Sequence, residues 1–201
     1  MLLQAHLEFE IVTPRTLPDY RGEMLLLPGV TIISEAEKKA LESYVAHKGK
    51  LVIAGTNATG LPPSPKVVQF SDNPAKKYFE ELEKDFSAGL EHMPQGFLDA
   101  VKVQSELEVS APPTVAVNFA SVAGAPHAYL ANFAGLGPGG TAIPSSAKDI
   151  RVRISARLGD ALQFLPFLGE PQILHGVRHG AEVEFALPEV GRGAVVSIAA
   201  E

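Results

Sequence analysis

The hydrophobic period changes part-way along the chain, and that change constrains the fold more than any single motif. Residues 20–56 read as one αβ crossover, whereas residues 101–201 read as short alternating strands. Arg21 to Gly29 carries a continuous apolar run, Met24 to Leu27, of the kind found in strands buried on both faces, and Pro28-Gly29 breaks it. Ser34 with Glu37 matches a capping box, so a helix is expected to start there. Ala36, Ala40, Leu41, Tyr44 and Val45 form its apolar stripe, and Gly49 is placed to end it in a left-handed cap. A second strand over residues 50–55 completes the crossover. Such a unit needs further parallel strands beside it, and this chain supplies few.

The flanking segments are read in the same way. Residues 2–8 resemble the last turns of a helix, and Phe9 to Thr13 a short strand, so the chain begins as if inside a fold. After a short strand at 66–70, Asn73 caps and Pro74 opens a second helix with a stripe of Ala75, Tyr78, Phe79, Leu82 and Phe86. From Val101 the period becomes two: Val101, Val103, Leu107 and Val109 alternate with polar residues. Thr114–Phe119 and His127–Phe133 read as a hairpin with Tyr129 packed in the core, and Gly135–Gly140 as a surface loop. Further strands are expected at 150–156, 163–165, 172–174, 182–187 and 194–199. The fold class is therefore α/β plus all-β: a partial flavodoxin-like parallel sheet with helices over residues 1–100, curtailed at its N-terminus, then an antiparallel β-sandwich of seven or eight strands over residues 101–201.

Composition excludes several functions. The chain of 201 residues has no cysteine, which removes disulfides, thiolate metal sites and a cysteine nucleophile. Its formal net charge of −6 comes with scattered Lys and Arg, so nucleic acid is not expected as a partner. Neither a signal peptide nor a membrane span is legible, and the expectation is a soluble chain, with the cytoplasm the favoured compartment.

Few residues of the chain are placed to react. The six histidines show no tight helical pairing. His175 and His179 stand four apart, but Gly176 and Gly180 place them in a turn, so no metal site is expected. No Gly-x-Ser-x-Gly elbow is present. Glu80, Glu81, Glu83 and Asp85 lie on a solvated helix face, and Glu182 and Glu184 on the wet side of a strand, so no acid/base pair is assigned. The remaining candidates are Gly55, Thr56 and Asn57, weak ligand-loop residues at the C-terminal edge of a strand, where open α/β sheets bind ligands. No catalytic residue, metal or cofactor is expected.

The stretch from Leu25 to Gly55 resembles the glutamine-amidotransferase-like domain that accompanies bacterial β-galactosidases and related glycoside hydrolases: an apolar strand ending in Leu27-Pro28, a Ser34-x-x-Glu37-capped helix containing Tyr44-Val45, then Gly49-Lys50-Leu51-Val52. Lys48 stands where that pattern has the first of two glycines. Residues 109–115, 127–133 and 183–188 are similar to the β-domain of the same enzymes. The resemblance implies a domain that has lost its catalytic cysteine and mediates trimer formation beside a catalytic barrel, which this chain lacks. The expected function is a non-catalytic accessory region, acting as a homo-oligomer (dimer or trimer) or with a missing catalytic domain. The alternatives are a carbohydrate-binding β-sandwich that uses exposed aromatic rings, and a small-molecule enzyme on a flavodoxin-like sheet with its ligand at Gly55–Gly60.

Overall fold

The computed structural model describes residues 1–84, 92–135 and 143–198. They form two compact units, one of residues 10–103 and one of residues 1–9 with 104–201. The N-terminal nine residues therefore group with the β-rich unit, although the sequence pattern assigns them to the α/β region.

In the first unit, β1 (Met24–Pro28), β2 (Lys50–Ala54) and β3 (Val67–Phe70) make a parallel sheet in the order β1-β2-β3. The central strand is apolar throughout its buried length, as a strand covered on both faces must be: Leu51, Val52, Ile53 and Ala54 are all at most 1% exposed. Leu25, Leu51, Ile53 and Val67 pack with Leu41 and Tyr44 of helix α1 (Glu35–Ala46) and with Leu17 of a preceding 3-10 turn. The expected capping box is present: Ser34 Oγ accepts from Glu37 N, and Glu37 Oε2 accepts from Ser34 N at 2.8 Å. Asn73 Oδ1 likewise accepts from Ala75 N and Lys76 N at the start of α2 (Pro74–Lys84).

Four local expectations are corrected. Residues 2–6 are turns and residues 9–13 pair with no strand. The left-handed position after α1 belongs to Lys48 (φ 83°), not Gly49. Gly49 N donates to Tyr44 O and Lys48 N to Val45 O, a Schellman end. Gly49 is needed there for space, because a Cβ would sit 2.2 Å from the Tyr44 ring. Val101, expected to start a strand, instead ends helix α3 (Gln95–Val101). Phe97 and Leu98 are buried, Phe97 meets Phe70 edge-on, and Lys50 Nζ donates to Ala100 O. Those tertiary contacts outweigh the alternation of Val101 and Val103. Finally, α2 buries Tyr78 but leaves Phe79 58% exposed, and Phe86 lies outside the described residues.

The second unit packs two antiparallel sheets. One has the order β10-β11-β7-β4, from Val177–His179, Glu182–Ala186, Arg151–Ser155 and Leu107–Ser110. The other has the order β5-β6-β12-β8-β9, from Val115–Val122, Ala125–Asn132, Gly193–Ile198, Ala161–Pro166 and Gln172–His175. The expected alternation supplies the inner faces: Val109, Val152, Ile154, Val183 and Phe185 from one sheet meet Val117, Leu130, Leu162, Phe164 and Val196 from the other in one core. Among the described residues this unit has nine strands where seven or eight were expected, because the chain changes sheet at Gly176, between β9 and β10. A Cβ there would fall 2.4 Å from Val183 Cγ1 and 2.8 Å from the Phe185 ring. The β5–β6 hairpin turns on Ala123 and Gly124, both at positive φ as a type I′ turn requires. The architecture is thus mixed α/β with β-sandwich-like sheets.

Candidate functional site

The C-terminal edge of the parallel sheet brings Gly29, Gly55 and Asn73 together, one after each strand. A Cβ at Gly55 would lie 3.8 Å from Gly29 Cα and 3.9 Å from Asn73 Cβ, and one at Gly29 would meet Asn73 Nδ2. The sequence candidates Gly55, Thr56 and Asn57 follow β2 at this edge. Their polar groups are largely engaged within the loop. Asn57 Nδ2 donates to Leu61 O, while Asn57 Oδ1 accepts from Thr59 N and Thr59 Oγ1. Gly55 N donates to Phe70 O, and Gly55 O accepts from Gln69 Nε2. Thr59, fully buried, also accepts from Leu61 N. Asn57 therefore organises the turn, and Thr56 is left as the exposed side chain of the three.

A second candidate lies at one end of the sandwich, an open cleft of about 290 Å³ between the N-terminal segment and the β5–β6 hairpin. Glu8, Ser105, Glu106, Ser121 and His127 supply its polar lining, and Phe119 and Leu107 its apolar floor. Ser105 Oγ is 2.8 Å from Glu8 Oε2 and 3.0 Å from Leu107 O. Glu106 pairs with Arg157. His127 Nδ1 lies 3.0 Å from Ala125 O, so its neutral form carries the proton on Nδ1 and exposes an acceptor at Nε2. Ser105 Oγ is thus engaged by Glu8 and Leu107 O rather than by His127, as a Ser–His relay requires. The cleft offers carboxylate and hydroxyl groups to a polar ligand.

Several of the other carboxylates have structural partners. Glu184 meets Arg151 at 2.5 Å, and Arg153 lies within 4.0 Å of Glu108, Glu182 and Glu184, a ladder across the outer face of the four-stranded sheet. Glu80 pairs with Lys76 and Glu81 with Lys84, while Asp85 lies outside the described residues. The hydrogen bond from Lys84 holds Glu81 below the usual carboxylate range, and those from Ser34 do the same for Glu37. Both displacements favour the ionised form, the opposite of what a general acid needs. His175 ends β9 and His179 ends β10, so the two stand in strands of different sheets rather than in one turn. Among the described residues, no three His, Asp or Glu side chains converge as a metal site. Among them, too, no helix is long and apolar enough to cross a membrane.

Tyr129 departs from expectation. It is 40% exposed on the outer face of β6, beside the His127 ring at a centroid distance of 6.3 Å, while Ala128 and Leu130 take the core. The signal was in the sequence: strand parity groups His127, Tyr129 and Ala131 on one face and Ala128 and Leu130 on the other.

No protein-family model and no curated protein matches the chain. Among solved structures, the chain resembles alpha-L-fucosidase isoenzyme 2 from Paenibacillus thiaminolyticus, with a TM-score of 0.65 at 13% identity, over 100% of this chain and 44% of that one. An apo exo-carrageenase from Bacteroides ovatus aligns over 98% of this chain and 26% of its own, at 11% identity and a TM-score of 0.39. Both are glycoside hydrolases, and this chain spans less than half the length of either. At such identities the likeness to the fucosidase is one of fold, and it places this chain's architecture beside part of a glycoside hydrolase.

Proposed function

We propose that this chain is a non-catalytic accessory region of a glycoside hydrolase, β-galactosidase-like, that serves oligomer assembly or supports a catalytic barrel outside it. The observation that carries this reading is the likeness of fold to the fucosidase, which takes in the whole of this chain but only 44% of that one. The engaged or ion-paired carboxylates described above are compatible with it. On this reading the α/β unit is a glutamine-amidotransferase-like domain of flavodoxin-like descent, and the absence of cysteine follows from lost amidotransferase chemistry.

The test is turnover of a panel of aryl glycosides by the purified chain. No turnover above buffer is expected. Turnover that survives purification and disappears on a single substitution, Glu106→Gln or Glu8→Gln, would refute the reading, since both residues line the open cleft.

A second reading, a carbohydrate-binding β-sandwich, is favoured by the outward-facing Tyr129. Oligosaccharide titration followed by tyrosine fluorescence tests it, and Tyr129→Ala should abolish any saturable change.

A further inference from the structure

The outer faces of the two sandwich sheets differ in charge. The four-stranded sheet displays Glu108, Arg151, Arg153, Glu182 and Glu184 to solvent. The five-stranded sheet displays no Asp, Glu, Lys or Arg at any outward position of its strands, in a chain that is 20% charged. Register sets Asn118, Tyr129, Val195 and Leu165 side by side across four strands, with His127, Ser197, Gln163 and Ile173 in the next row. Tyr129, Leu165 and Ile173 are 40%, 42% and 55% exposed, and Phe167, just past β8, is 69% exposed.

Depletion of charge with an aromatic retained is the composition of an interface core rather than of open surface. Five strands about 4.8 Å apart, each about six residues long, cover roughly 500 Å² in plan. With Phe167 and Leu168 at its end, the face approaches the roughly 800 Å² per partner that a stable complex buries.

We propose that this face packs against the same face of a second copy of this chain. Electrostatics favours that occupant. A two-fold interface sets a surface against its own copy, so a net charge on that surface would repel itself, and a chain of net charge −6 already repels its copy. This uncharged face is free of that penalty, while the two arginines and three glutamates of the other sheet pair with one another within one copy. The proposal deepens the assembly reading above by naming its surface, and it rests on that reading.

The test is light scattering after size exclusion, over a concentration series, on the intact chain and on Leu165→Lys and Ile173→Lys. Two variants are used because either could perturb its strand, and circular dichroism identifies one that has not folded. The expected mass of the intact protein is twice 21.3 kDa, and each folded variant should self-associate about 100-fold more weakly. An intact chain that stays at 21.3 kDa throughout overturns the proposal, and oligosaccharide binding lost in Tyr129→Lys would then assign the face to sugars. An oligomer whose mass neither variant changes overturns the surface while leaving the assembly reading standing.

Discussion

Gly49→Ala tests the packing argument for the end of α1 most directly. Gly49 lies outside the left-handed region, so in an empty environment alanine would stabilise by about 0.4–1 kcal/mol through the unfolded chain. The environment is filled by Tyr44. The added carbon falls 2.2 Å from Cζ, where ordinary contact begins at 3.4 Å, so ring or strand must move by roughly 1 Å. The ring cannot move cheaply. It is 7% exposed, packs against Tyr20 at 5.6 Å, and its hydroxyl donates to Gly22 O at 3.0 Å, with Lys50 O at 3.4 Å. Overpacking costs about 1–3 kcal/mol and a displaced hydroxyl about 1 kcal/mol more, for a net loss of about 2–3 kcal/mol after the entropic gain.

The assay is urea unfolding followed by tyrosine fluorescence. The protein has no tryptophan, and three of its four tyrosines lie in the α/β unit. A double-mutant cycle isolates the collision. In a Tyr44→Ala background, itself about 3–5 kcal/mol less stable, Gly49→Ala should be neutral or stabilising. An equal cost in both backgrounds, or none in the intact chain, would refute the steric account.

Three further predictions follow from the same structure. Burial holds the Tyr44 hydroxyl well above its ordinary pKa, and Tyr20 and Tyr78 are raised too. Above pH ~10 the unfolded chain releases those protons while the native state keeps them, so the stability of the α/β unit should fall as pH rises, with a shallower slope in Tyr44→Phe; chemical denaturation between pH 8 and 11 checks this. Asn132 Nδ2 donates to Ser145 O, Val190 O and Gly191 O, so Asn132→Asp should cost about 2 kcal/mol by setting a carboxylate oxygen against carbonyls, read as a lower midpoint of thermal unfolding. Arg153 faces three exposed or half-buried glutamates, so Arg153→Met should cost only about 0.5–1 kcal/mol, and the difference should shrink in 1 M NaCl.

Local rules wrote much of this molecule directly into its sequence. The Ser34–Glu37 capping box, the Asn73 cap and the apolar β2 strand rest on hydrogen bonds and burial between near neighbours, which residue identity alone specifies. The two-residue alternation likewise set which side chains of β7, β11 and β12 form the sandwich core. Tertiary structure decided the rest. Lys48, rather than the adjacent glycine, takes the left-handed position, and Gly49 is required instead by the space that the Tyr44 ring fills. Residues 95–101 are helical because Phe97 has Phe70 to pack against. The candidate loop at Gly55–Asn57 was legible by position, but its engagement depends on Thr59 folding back onto Asn57. Glu8 and Ser105, 97 residues apart, share a cleft through a contact that no periodicity encodes. Strand parity could tell that Tyr129 and His127 share a face. Only the pairing of β6 with β5 and β12, set by long-range hydrogen bonds, decided that this face is the outer one and that it carries no charge.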